Sequence, residues 1–162
     1  MKRLVLIICF ALLGTTAMQA QSGLRIGGNV GLPVGDIEKV SNFQAGVDLA
    51  YMLDVADMLY LGPKIGYTQF FMDEDNFGGF EVDDPAFLPI AASGRISLAR
   101  GFFFGADLGY AVGLNEGNDG GFYYRPQVGY NFGIIGLVGS YTGISVDGVS
   151  FGAINLGLEF GL

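Results

Sequence analysis

The chain has 162 residues, with 8 Lys and Arg against 16 Asp and Glu, a single cysteine and no histidine or tryptophan. That length suits one domain rather than two; the acidity excludes nucleic-acid binding by phosphate neutralisation, and the missing histidine excludes Ser-His catalysis. With 51% hydrophobic residues and a mean hydropathy of +0.45, the composition is not that of a disordered chain.

The opening MKRLVLIICFALLGTTAMQAQ sets Lys2 and Arg3 before the apolar run Leu4 to Leu13, with small residues following to Ala20. This is the layout of a cleaved Sec signal peptide over residues 1–20, with Ala17 as the alternative to Ala20 at the cleavage site. Cys9 lies inside it, and LVLIIC lacks the small residue that precedes a lipidated cysteine. Residues 21–162 then have no thiol, no disulfide and no Cys-based metal site. Without Lys2 and Arg3 the charge balance is −10.

Beyond the leader no apolar run approaches the roughly 18 residues of a spanning helix, and the apolar residues alternate instead. Strands are predicted at 23–34, 43–53, 58–71, 86–98, 102–114, 121–132, 135–146 and 150–162. In the fifth, Phe102, Phe104, Ala106, Leu108 and Tyr110 oppose Phe103, Gly105, Asp107 and Gly109. In the sixth, Phe122, Tyr124, Pro126 and Val128 oppose Tyr123, Arg125, Gln127 and Gly129. In the last, Ile154, Leu156, Leu158, Phe160 and Leu162 oppose Ala153, Asn155, Gly157, Glu159 and Gly161. Only the seventh breaks the rule, since Leu137, Tyr141, Val138 and Ile144 do not share a face. A period of two specifies strand, and about ten residues is the length a tilted strand needs to cross a bilayer. Tight turns at 54–57, 99–101 and 133–134 alternate with mostly longer polar connections at 35–42, 72–85, 115–120 and 147–149. The fold class is therefore all-β, an eight-stranded antiparallel up-and-down barrel with both ends on the short-turn side.

The second face decides between a soluble and a transmembrane barrel. It carries Gly27, Gly31, Gly46, Gly62, Gly66, Gly105, Gly109, Gly129 and Gly157 rather than the Lys, Glu and Thr of a solvated surface. Glycine suits the crowded lumen of an eight-stranded barrel, which sends the apolar face to lipid. The same register turns Arg25, Asp48, Lys64, Arg95, Asp107, Arg125 and Glu159 inward, and buried charges need partners. The candidate pairs are Asp48 with Lys64, Asp107 with the flanking Arg95 and Arg125, and Arg25 with Glu159 where the first and last strands meet. Two aromatic girdles are expected on the lipid face. Phe102, Phe104, Tyr130, Phe132 and Phe160 form one at the short-turn end; Tyr67, Phe71, Tyr110, Phe122 and Tyr124 form the other.

The loop MDEDNFGGFEVDDP carries Asp73, Glu74, Asp75, Glu81, Asp83 and Asp84. Asp73, Asp75, Gly78 and Asp84 match calcium-loop positions one, three, six and twelve, but Phe77 stands at five and no helices flank the loop. This leaves two readings, Asp73, Asp75 and Asp84 as a metal candidate or a solvated loop that attracts cations diffusely. Phe77 and Phe80 offer a contact patch for an extracellular or envelope protein partner. The carboxylates lack a desolvated cleft, and the glycines at 27–31 open no helix, so no phosphate loop is present. No catalytic residue and no cofactor are nominated.

LRIGGNVGLPVG, FLPIAASGRISL and the closing NLGLEFGL resemble the small OmpA-type and PorT-like outer membrane β-barrel domain family common in Bacteroidota. The resemblance implies an eight-stranded barrel in the outer membrane of a Gram-negative cell, with membrane lipids around it. Asn155, Gly157, Phe160 and Leu162 resemble the C-terminal signal read by the barrel-assembly machinery. Three roles follow as expectations: a non-enzymatic envelope protein with structural or surface-contact function, a PorT-like accessory of secretion or envelope assembly, and a narrow pore.

Overall fold

The alternating segments form eight antiparallel strands in the computed structural model, which describes residues 23–73, 84–98 and 101–162. The strands are β1 (Gly23–Val34), β2 (Ser41–Ala56), β3 (Leu59–Met72), β4 (Ala86–Ser97), β5 (Phe102–Gly113), β6 (Gly121–Phe132), β7 (Ile135–Val146) and β8 (Val149–Gly161). Each pairs with its chain neighbours, and β1 with β8 closes the barrel. Closure runs from Arg25 opposite Gly161 to Val34 opposite Gly152, so every strand edge is paired. The predicted signal peptide, Asp75 and most of the acidic loop lie outside the described residues.

The barrel is apolar outside and polar within, the arrangement of a transmembrane β-barrel. Leu32 is 69% and Phe132 63% exposed, whereas Asp107 and Gln44 are wholly buried. Both girdles lie on the outer face. At the short-turn end Tyr130 contacts Phe102 and Phe132, with ring centroids 4.6 and 4.5 Å apart. At the other end Phe122 stacks on Tyr124, and Phe43 on Phe71.

β2 is longer than the alternation predicts, for a local reason. Its pairing with β3 shifts between Ser41 and Phe43 and again between Asp54 and Ala56. A bulge puts Asn42 and Phe43 on the same side, both exposed, and breaks the period of two while the ladder continues. The connection between β7 and β8 is also tighter than its neighbours at that end. Asp147 and Gly148 both take positive φ, 45° and 88°, the two-residue turn that matches strand twist.

Candidate functional site: the filled lumen and the acidic rim

All seven inward charges meet inside the barrel, in two groups. Nearer the short turns, Glu159 on β8 accepts from two arginines. Arg25 Nη1 lies 2.6 Å from Oε1; Arg95 on β4 reaches across with Nη1 2.7 Å from Oε1 and Nη2 2.5 Å from Oε2. The Arg95 guanidinium also lies over the Phe103 ring, 4.6 Å from its centroid, a cation–π contact that lets it remain desolvated.

At mid-barrel, Lys64 Nζ bridges Asp107 at 2.6 Å and Asp48 at 3.4 Å. Arg125 Nη1 lies 2.5 Å from Asp48 Oδ2, and its Nε donates to Ser140 Oγ at 2.9 Å. Neutral side chains complete the layer. Gln127 donates to Asp107 at 3.0 Å, Asn29 to Asp48 at 3.1 Å, and Gln44 to Asn29 at 3.3 Å. The space left among these groups is about 20 Å³, room for about one water.

The pairing differs from the expectation at Asp107. Arg95 and Arg125 flank it in sequence register, and Arg125 is its direct cross-strand neighbour, yet its salt bridge runs to Lys64. The reason is reach. A long guanidinium stem crosses the narrow lumen more easily than it folds back on an adjacent strand, while the shorter Asp107 carboxylate is left to Lys64.

Sequence reasoning missed the layer above these charges. At the long-loop end, Phe70, Phe87, Tyr123 and Ile144 are buried inside the barrel with Ile37. Phe151 joins them, its centroid 5.6 Å from Phe70 and 5.2 Å from Phe87. A 3-10 turn, Gly35–Ile37, brings Ile37 over the lumen, and Asp36 Oδ2 accepts the Ser150 N–H at 3.0 Å to pin it to β8. The signal was present, because Phe70 shares the parity of Lys64, and Tyr123 that of Arg125. The seventh strand is irregular because apolar residues take inward positions: Ile144 joins this layer, and Val138 lines the space among the charges, while Leu137 faces outward.

The four residues expected to form an assembly signal divide between the two faces. Asn155 is buried, its Nδ2 2.9 Å from Thr142 Oγ1, and a side chain on Gly157 would meet the Gly28 carbonyl at 2.8 Å. Phe160 and Leu162 are on the outside. In the metal candidate, Asp84 Oδ1 accepts the Met72 N–H at 2.8 Å, so that carboxylate serves to close the loop base. Among the described residues no cluster of three potential ligands occurs.

Charge is sorted between strands and connections. Eleven of the 16 acidic residues lie in the long-loop connections: Asp36 and Glu38, the six from Asp73 to Asp84, Glu116 and Asp119, and Asp147. Lys39 is the one cation in those same stretches of sequence. The lumen charges nearly balance, so almost all of the net charge belongs to the long-loop connections of the sequence.

No protein-family model matches the chain, and no curated protein matches it. Solved structures do. Ail, the attachment invasion locus protein of Yersinia pestis, has a TM-score of 0.61 at 18% identity over 88% of this chain and 99% of its own. The N-terminal β-barrel domain of Pseudomonas aeruginosa OprF gives 0.53 at 14% identity over 88% and 98%. The outer membrane enzyme PagL gives 0.53 at 12% identity over 85% and 99%. At such identities the likeness is one of fold, and the fold serves an attachment protein and an enzyme alike.

Proposed function

We propose that the chain is an integral outer-membrane protein without catalytic activity, whose filled barrel holds an acidic long-loop rim at the cell surface for contact with cationic partners. The observation that carries this reading is the sorting of charge: a nearly balanced, occupied lumen, and long-loop connections whose sequence holds almost all the net charge. A filled barrel is a rigid mount rather than a conduit, and a one-signed surface steers oppositely charged partners toward it. The small eight-stranded outer-membrane barrels of the same fold support the placement in that membrane.

Cysteine labelling tests the reading. In a Cys9→Ser background, Asp119→Cys should react with a membrane-impermeant maleimide on intact cells. Asp57→Cys, in the turn between β2 and β3, should react only after the outer membrane is opened. The reverse pattern, or recovery of the protein in the inner-membrane fraction, overturns the proposal.

A further inference from the structure

Above the aromatic layer, between the β5–β6 loop and the β7–β8 turn, lies an open pocket of about 350 Å³. Its size falls within the range of small-molecule sites, roughly 300–1,000 Å³, and its walls are held in place. On one side, Asn115 Oδ1 accepts the Ala86 N–H at 2.7 Å and Asn115 Nδ2 donates to the Asp84 carbonyl at 3.1 Å. The same loop turns on Asn118, whose Oδ1 accepts the Gly120 N–H at 3.1 Å. On the other side stands the Asp147–Gly148 turn. The apolar lining comes from Phe151, held against Phe70 and Phe87, and from Val146 and Val149.

Among the described residues the charged side chains that line the pocket are Glu116 and Asp147, with no lysine or arginine. Neither carboxylate takes part in a salt bridge among the described residues. An anion entering here meets two carboxylates and the field of the whole rim. A neutral solute gains only the apolar lining. A cation with an apolar body gains both, beside the aromatic ring of Phe151.

We infer that this pocket binds small organic cations of the arylalkylammonium class. The inference rests on the proposed function only for the exposure of the rim, and its test is made on purified protein, independent of membrane placement in the cell.

The test uses the ¹⁵N-labelled chain in nanodiscs of a zwitterionic lipid, titrated with phenethylammonium, 2-phenylethanol and phenylacetate, which share one apolar body. Phenethylammonium should shift the amides of Gly117, Asn118, Asp147 and Gly148 saturably. The alcohol should bind about tenfold more weakly, the size expected from two partly exposed ionic contacts, and phenylacetate should leave these amides unmoved. Glu116→Gln with Asp147→Asn should bring phenethylammonium down to the level of the alcohol; asparagine tolerates the positive φ at 147, which spares the turn. Val149→Trp, which fills the pocket, should abolish both. Heat-modifiable migration on gels confirms that each variant has folded. Equal affinity for the ammonium ion and the alcohol overturns the inference. So do non-saturating shifts spread over Asp36, Asp73 and Asp119 and matched by methylammonium, which mean diffuse attraction only. Failure here with correct labelling on cells would remove the pocket and leave the surface orientation standing.

Discussion

Arg95 and Glu159 join opposite walls of the barrel: β4 and β8 are four strands apart in either direction around the closed sheet, and a two-pronged bridge of 2.7 and 2.5 Å connects them. Arg125 and Asp48 do the same between β6 and β2. The lumen is therefore braced by two struts that cross it. Hydrogen bonding between adjacent strands sets the barrel's circumference, and these struts fix its cross-section.

Glu159 is the keystone of the lower group, because two arginines depend on it. Glu159→Gln should destabilise the barrel by about 3–5 kcal/mol, the cost of leaving buried charge without its partner. Arg25→Gln should cost less, since it leaves the Arg95 bridge intact and removes the surplus positive charge. Urea unfolding in lipid vesicles measures both, and the double-mutant cycle of Arg25→Gln with Glu159→Gln should show coupling of roughly 0.5–3 kcal/mol. Coupling near zero would mean that the contact contributes no stability.

A second line of support runs through a glycine. A side chain at Gly129 would lie 2.4 Å from the Phe103 ring and 2.7 Å from the Leu137 carbonyl, and Phe103 in turn carries the Arg95 guanidinium. Gly129→Ala should therefore cost about 1–3 kcal/mol through overpacking. Adding Phe103→Leu should recover part of that loss, since the smaller side chain yields the space. Strictly additive losses in the same unfolding assay would show that the ring is not what the new methyl meets.

The aromatic layer and the charged layer close the lumen independently. Phe87→Ala should destabilise by about 3–5 kcal/mol, as large core truncations do, without opening a channel, because the bridged charges beneath it remain. Planar-bilayer recordings of the parent chain and of this variant should show no steady conductance. A stable open channel in either would contradict the filled lumen.

Phe160 separates assembly from stability. It is 45% exposed on the outer face, close to the short-turn rim, where an acidic residue costs at most about 1 kcal/mol. Phe160→Asp should thus lower the amount of heat-modifiable barrel in the outer membrane sharply, while refolded protein loses little stability. A loss of stability matching the loss of assembly would assign the residue to packing alone.

The strand boundaries were legible because lipid on one side and a crowded lumen on the other impose a period of two on nearly every segment. Legibility failed where a second demand intervened. At Asn42 and Phe43 a bulge put two successive residues outside, and in β7 the inward Ile144 belongs to the lumen's apolar layer while Val138 lines the space among its charges. Phe70, Phe87 and Tyr123 escaped notice for a related reason. An apolar residue on a polar face reads as noise along one strand, and becomes a layer only when several strands bring theirs to the same height.

Sequence alone determined which side chains face inward, since parity along a strand is a local property that pleating enforces. It also determined that charge of both signs would meet inside, and that acidity would gather in the loops. Tertiary structure decided which charges pair. Neighbouring strands can be matched from register, as with Arg25 and Glu159 or Asp48 and Lys64. The bridges of Arg95 and Arg125 depend instead on the diameter of the closed barrel, which side chains of that length can span, and that distance belongs to the whole sheet rather than to any stretch of it.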